Sequence, residues 1–377
     1  MNMKKTTICL FGTYDYKYSR NSSIRDGLKE IGVKVMEVHY DIPLTRLEVK
    51  DDFTLAKSVK RVITKFISWI FLLSSWRQVR KSDAVVVLHP GHLDLPPAWL
   101  LCKIFSKPLI FDTSISPYDM YIVGRDLAKV GSVKEKVLKL VERLLLKLPD
   151  KSFTDTALMK NFIVNTFQIK PERIFTVPLG ANNRLYKPTN EKRNGKVKVL
   201  FFGMYNPVHG AWHIIRAINT LKNQPIEFVM LGDGPIKEEL LNYASKNKIK
   251  NLEFKGFVPE PELVKEINSA DILLGTFSDV HIMKRVIPNK IFGSIACKKC
   301  VLTAEQPILE EYFTHNESIY FTKPEDSKTL AKAIKVLAKN EKRRILIGNN
   351  AYRIYLQYFT PKRVGEAVLN GIFPVEK

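Results

Sequence analysis

Cysteine is scarce in this chain: four residues in 377, Cys9, Cys102, Cys297 and Cys300. Four scattered cysteines cannot form the disulfide framework of a small secreted domain. Cys297-Lys298-Lys299-Cys300 has C-x-x-C spacing, but no second pair completes a zinc site. Its place at an expected helix-to-strand join suits packing as a small hydrophobe. Long apolar runs are also lacking. The best, Phe66 to Trp76, lies between Lys65 and Arg77 and is too short to span a bilayer. The opening Met1-Asn2-Met3-Lys4-Lys5 leads into a short apolar run that Gly12 ends, with no cleavage-type site, so it fits a first strand better than a signal peptide. The expected compartment is the cytosol. There is no D-x-D pair to bridge a diphosphate through a metal, and no Ser-His-Asp or Cys-His arrangement stands out. His89 and His92, three apart at a strand end, suit local hydrogen bonding better than metal binding. No metal or cofactor is implied. Acidic residues are few as well, 38 against 60 Lys and Arg, which leaves a net charge of +22. That excess favours anionic partners: nucleotide diphosphates, nucleic acid or an acidic membrane face.

Apolar runs of strand length alternate with helix-period segments, the pattern of an α/β parallel sheet. Strands are expected at Thr7–Phe11, Lys34–Val38, Ala84–Leu88, Leu109–Asp112, Lys151–Phe153 and Ile174–Val177. A second series follows at Val197–Phe202, Glu227–Leu231, Leu252–Lys255, Ile272–Leu274, Cys300–Leu302 and Ile319–Phe321. Tyr186 to Gly195 is polar and holds both Pro and Gly, a linker composition. The expected organisation is a doubly wound domain over 1–185, a second over 196–358 and a helical tail over 359–377. In such sheets ligands bind at the carboxyl ends of the strands.

The most informative stretch is Ala270-Asp271-Ile272-Leu273-Leu274-Gly275, followed by Arg285-Val286-Ile287-Pro288-Asn289-Lys290. An apolar run ends in a loop, and the loop enters a helix expected to start at Pro288, whose missing amide costs the first turn nothing. Free N–H groups, the positive helix end and the cations Arg285 and Lys290 make a diphosphate cradle. The substrate should therefore be nucleotide-activated. After Val197–Phe202, Gly203 opens a loop, Met204–His209, that enters a helix through Gly210. Glycine allows backbone to approach phosphate closely, although a tight βα turn needs it for the same reason.

These residues carry a resemblance. ADILLG…RVIPNKIF resembles the donor-site segment of family 4 (GT4) glycosyltransferases, in particular the branch with a Pro-Asn-Lys signature. Val199-Leu200-Phe201-Phe202-Gly203, Leu231-Gly232-Asp233-Gly234-Pro235 and Phe254-Lys255-Gly256-Phe257-Val258-Pro259 stand upstream in the family's order. The resemblance is best over 196–335; Phe153-Thr154-Asp155-Thr156 and Val177-Pro178-Leu179-Gly180-Ala181 also fit. It implies a GT-B fold, two Rossmann-like domains facing a cleft, with a C-terminal helix crossing back to the first. It also implies retaining transfer of a sugar from a nucleotide-diphosphate donor to a carbohydrate or lipid-linked acceptor, in glycan or cell-surface polysaccharide synthesis and without a metal. Donor contacts would fall on Gly203, His209, Gly210, Arg285, Asn289 and Lys290, and on Val258 in a turn that resembles the nucleobase edge.

Two departures stand out. The family usually places Arg and Lys in the first loop, where Met204 and His209 stand here. It usually carries two glutamates eight apart, where this chain has Arg285 and Gly293. Arg285 and Lys290 would then supply the diphosphate charge. Gly293 removes the ribose acceptor, which keeps open a catalytically impaired partner subunit of the same fold.

In the amino-terminal half, Gly12-Thr13-Tyr14-Asp15 and Tyr18-Ser19-Arg20-Asn21 bring polar, aromatic and basic groups to a strand end, which suits an acceptor. Asp15 and Arg20 are the acceptor-binding candidates. Many GT4 enzymes have a His-Asp pair after the fourth strand; Phe111 holds the His position, and Asp112 and Asp119 are the catalytic candidates, although each could simply cap a helix. Lys57, Lys60, Arg61 and Lys65 precede Phe66–Leu73, Arg77, Arg80 and Lys81 follow it, and Lys134–Lys151 repeats the mixture. Such helices suit peripheral attachment to an anionic membrane, on its inner face, as well as a packed helix with a solvated basic side. A nucleic-acid binder rests on charge alone; no RNA-binding aromatic signature or helix-turn-helix supports specific binding.

Overall fold

The computed structural model describes residues 6–16, 18–41, 55–123, 129, 131–189 and 195–374, with backbone alone for 55–62 and 123. The chain forms two compact units, Met1–Gly180 with Pro361–Lys377, and Ala181–Thr360.

The first unit contains β1 (Thr7–Gly12), α1 (Ser19–Glu30), β2 (Lys34–His39), α2 (Leu55–Ser74), α3 (Trp76–Lys81), β3 (Ala84–Val87), α4 (Leu95–Ile104), β4 (Leu109–Asp112), α5 (Val133–Leu145), β5 (Lys151–Thr154), α6 (Ala157–Phe167) and β6 (Ile174–Thr176). Its strands pair in parallel in the order β2-β1-β3-β4-β5-β6. The central strand β3 is Ala-Val-Val-Val, every residue buried. A strand covered on both faces needs no polar alternation, which is why these strands read as plain apolar runs. β1 connects to β2 toward one edge, whereas β3 to β6 run toward the other. Right-handed crossovers therefore put α1 on one face and α2 to α6 on the opposite face.

The second unit contains β7 (Val197–Phe202), α7 (Ala211–Thr220), β8 (Ile226–Leu231), α8 (Lys237–Lys246), β9 (Leu252–Lys255), α9 (Glu260–Ser269), β10 (Ile272–Leu274), α10 (Asn289–Ala296), β11 (Cys300–Ala304), α11 (Pro307–Glu310), β12 (Tyr320–Thr322), α12 (Ser327–Ala338) and α13 (Glu341–Ile354). Its parallel order is β12-β11-β10-β7-β8-β9. Extended backbone at Thr360 separates α13 and a following π-type turn from α14 (Pro361–Ile372), as expected before a proline. α14 belongs to the first unit and lies against α1 there. A Cβ on Gly27 would collide with the Pro361 carbonyl and stand 2.8 Å from the Gly365 amide, so the two helices meet backbone to backbone.

Both sheets reverse their winding direction once, between β1 and β3 and between β7 and β10. Crevices outside the carboxyl ends of strands at such switch points are where open α/β sheets hold ligands.

Candidate active site

In the second unit, two loops meet at the switch point. β7 ends at Gly203, whose φ of +135° is open to glycine. The loop closes in one turn of 3₁₀ helix at Pro207–His209, capped by the Asn206 side chain, and Gly210 at φ +73° opens α7. The Phe277 amide donates to the His209 carbonyl at 3.1 Å, and the Ser278 hydroxyl donates to the Val208 carbonyl. A Cβ on Gly210 would lie 2.8 Å from the Phe277 carbonyl carbon. The loops after β7 and β10 are thus fastened to each other.

α10 begins one residue later than the sequence implies. Pro288, with ψ 137°, is the extended residue before the helix rather than its first member, and no side chain caps the end. The Asn289 and Lys290 amides at its start stay available for an anion, whereas the Ile291 amide donates to the Pro288 carbonyl at 2.9 Å. One residue further in, Lys290 turns into the fold and is only 7% exposed. Its Nζ lies 3.8 Å above the Phe201 ring, 3.2 Å from where a Gly203 Cβ would stand, and 3.4 Å from the Gly275 carbonyl oxygen. Among the described residues no carboxylate pairs with it. Burial alone pushes its ammonium well below the usual lysine range.

His209 stands beside it. Its Nδ1 is 2.9 Å from the Met204 carbonyl, an acceptor only, which fixes the proton on Nδ1 and leaves Nε2 as an acceptor. Burial, and then the Lys290 charge, lower its pKa to about 3, so the ring is neutral. Gly203, His209, Gly210 and Lys290 are therefore gathered at one point. Arg285, half-buried, follows a 3₁₀ turn at His281–Lys284 on the approach to α10, and Asn289 opens that helix from an exposed position. Val258 lies in the turn after the edge strand β9, two strands from β7.

Sequence reasoning missed Tyr186. A Cβ on Gly293 would stand 2.8 Å from its Cε1 and 3.1 Å from its Cδ1. The ring fills the space that a side chain at 293 would need. Tyr186 reads as linker, and only a fold contact over a hundred residues away reveals its position.

In the first unit, Arg20 and Asp112, read separately as acceptor-binding and catalytic, are joined. Arg20 Nε lies 2.7 and 2.9 Å from the two Asp112 carboxylate oxygens, both side chains being fully buried. Nη1 donates to the Val177 carbonyl at 3.2 Å, and Nη2 is buried without a hydrogen-bond partner among the described residues. Burial works against the Arg20 charge, but Asp112 overrides it and raises the pKa. Burial lifts the neighbouring Asp155 carboxyl to about 6, with Arg20 pulling the other way. Asp119 is buried, its amide donating to Ser116 Oγ at 3.1 Å. Asp15 is half-buried and offers its carbonyl to the Asn21 side chain at 2.9 Å.

Two further acids went unnoticed in the sequence. Asp94 accepts from the Thr13 amide and hydroxyl, both at 2.9 Å, and from Lys65 at 2.5 Å. Lys65, grouped by its neighbours with the membrane-facing cations, is thereby corrected to an internal partner of Asp94. The side chains of Lys57, Lys60 and Arg61 lie outside the described residues. Glu142 accepts from the Tyr118 amide at 2.8 Å, and its other oxygen is 3.9 Å from His92 Nε2. Burial raises Glu142 to about 7 and lowers His89 and His92 to about 3. The two histidines are thus neutral and inward-facing.

Comparison with known proteins fits this geometry. Residues 182–354 match the model of the family described as glycosyl transferases group 1. The chain is 24% identical over 321 residues to the chitobiosyldiphosphodolichol beta-mannosyltransferase of Debaryomyces hansenii, covering 75% of this chain and 65% of that protein. Among solved structures, Anabaena Alr3699/HepE in complex with UDP superposes with a TM-score of 0.69 at 13% identity, covering 98% of this chain and 100% of that one. Sucrose-phosphate synthase from Thermosynechococcus elongatus gives 0.70 at 13% identity, covering 97% of each. The two-sheet architecture is accordingly the GT-B fold, and residues 182–354, all within the second unit, match the group 1 glycosyl transferases.

Proposed function

We propose that this chain transfers a sugar from a nucleoside-diphosphate sugar to a carbohydrate or lipid-linked acceptor, retaining the anomeric configuration and using no metal. The observation that carries the reading is Lys290: a buried lysine with no carboxylate beside it among the described residues, at a sheet switch point, next to helix amides that no side chain caps. A charge buried without a counter-charge is costly, and a diphosphate is the counter-charge that the surroundings accommodate. Gly203 admits the phosphate backbone closely, and neutral His209 offers Nε2 without adding positive charge. The main work of the site is then electrostatic, stabilising the leaving diphosphate by Lys290, the α10 amides and Arg285. Attack by the acceptor on the same face of the donor needs no protein nucleophile.

UDP in the Alr3699/HepE structure supports a nucleotide donor, and the name of the Debaryomyces relative, a diphosphodolichol mannosyltransferase, supports a lipid-linked acceptor. The first unit is assigned the acceptor, with Asp15 and Arg20 as its binding groups and Asp112 and Asp119 as the catalytic candidates. A second reading, a partner subunit with impaired turnover, is favoured by Tyr186 occupying the space beside Gly293. Thermal shift and calorimetry with a panel of nucleoside diphosphates and their sugars test the first reading; a protein that no member stabilises sinks it. Donor turnover by a protein that does bind separates enzyme from partner.

A further inference from the structure

Large apolar side chains on the surface are distributed unevenly. Among the described residues, fifteen of the twenty-three exposed ones fall between Ile63 and Leu144, on the helix layer of one sheet face. α5 is inside out: Glu135 and Glu142 are buried, while Val133, Val137, Leu140, Val141 and Leu144 are exposed. Their spacing makes one continuous apolar stripe on the solvent side. α2 exposes Ile63, Phe66, Ile67 and Ile70 with the same period, and α4 exposes Trp99, Leu100 and Ile104. β3-α4-β4 and β4-α5-β5 are consecutive right-handed crossovers, so α4 and α5 are neighbours on that face, and α2 packs beside α4.

Charge decides what covers this surface. Residues 55–82 and 95–108 contain no Asp or Glu, and the two acids of α5 point inward. Arg77, Arg80, Lys81 and Lys103, Lys134 and Lys136 on α5, and Lys147 just beyond its end are exposed among the apolar groups. A second copy docked by a two-fold axis would set cation against cation. We propose that the outer face of α2, α4 and α5 is a docking surface for an anionic lipid bilayer, the apolar side chains entering the headgroup region and the cations meeting lipid phosphates. No helix among the described residues is long and apolar enough to cross a membrane, so attachment is interfacial.

The test uses the full chain without sugar donor or acceptor, so it succeeds or fails independently of the transfer reaction. Wild type should sediment with phosphatidylcholine vesicles containing phosphatidylglycerol, and at least tenfold less with phosphatidylcholine alone. Val137→Ser/Leu140→Ser/Leu144→Ser and Lys134→Gln/Lys136→Gln/Lys147→Gln should each lower the affinity about tenfold or more while nucleotide binding is kept. Brominated acyl chains should quench tryptophan emission in the wild type, a readout that needs no variant. Wild type remaining in the supernatant, an absence of quenching, or an apolar triple variant that binds like wild type overturns the proposal. So does self-association of wild type in sedimentation velocity that the apolar variant abolishes, since a second copy would then be the occupant.

Discussion

Lys290 is held in the protein at a cost, because a buried ammonium loses several kcal/mol of hydration that a ring face and one long carbonyl contact cannot restore. Two consequences follow from one side chain. Lys290→Met should weaken nucleoside-diphosphate binding by about 1.5–3 kcal/mol, the range for hydrogen bonds to charged groups, while leaving the unliganded protein as stable as before or more so. Equal affinity in calorimetry, with the fold intact, would refute the assignment. The pH dependence has a definite sign. A lysine whose folded pKa is depressed binds fewer protons folded than unfolded, so between that lowered value and the ordinary lysine range stability rises with pH, by at most about 1.4 kcal/mol per pH unit. A bound diphosphate restores the charged form, so binding in that window should take up a proton, read as a dependence of calorimetric heat on buffer ionisation enthalpy that Lys290→Met removes. Lys290 is legible in the sequence because local signals converge on it: a strand, a loop and a proline before a helix. Tyr186 and Asp94 are not, because their roles come from contacts with Gly293 and Thr13, more than eighty residues away.

Elements divide along a similar line. The strands of both sheets are readable to within a residue or two because a parallel strand covered on both faces is a bare apolar run, and β3 and β10 are clear cases. Helix periodicity instead reports that an apolar stripe exists, not which way it faces. α5 shows the difference: its leucines suit a core, yet the fold turns Glu142 inward and the stripe out. The Glu142 pKa of about 7 has a measurable effect. A carboxyl whose folded pKa is raised contributes stability that is fully present below its ordinary value and is lost as pH rises through about 7. Glu142→Gln should flatten that decline between pH 5 and pH 7, read as an unfolding midpoint in urea that no longer falls; an unchanged slope would assign the decline to other groups. The α1–α14 crossing is equally invisible in sequence, since Gly27 and Gly365 are 338 positions apart and neither sits in a turn. Gly27→Ala sets a methyl against the Pro361 carbonyl, a backbone atom that cannot rotate away. It should destabilise the protein by about 1–3 kcal/mol, the usual cost of overpacking, with α14 exchanging amide hydrogens faster. Unaltered exchange in α14 would show that the helices have room to separate.

At the scale of the whole molecule, basic groups outnumber acidic ones, 60 Lys and Arg against 38 Asp and Glu. The excess of +22 raises the local concentration of anions over the surface and speeds their arrival, an effect that salt screens. Holding a diphosphate through bond cleavage is a different demand, which needs fixed charge in a dry place. Many proteins meet it with a divalent ion on paired carboxylates. In the first unit two buried carboxylates are occupied: Asp112 by Arg20, and Asp94 by Thr13 and Lys65. Among the described residues no three His, Cys, Asp or Glu side chains are grouped to hold an ion. Under the proposed function, Lys290, the helix end and Arg285 would supply the charge that such an ion brings elsewhere. Sugar transfer should therefore proceed at its full rate in EDTA, and added Mg²⁺ or Mn²⁺ should change it by less than the screening of an equal ionic strength of sodium chloride. Loss of turnover on chelation, with recovery on adding either ion, would show that the diphosphate is held by a metal and that Lys290 plays a lesser part.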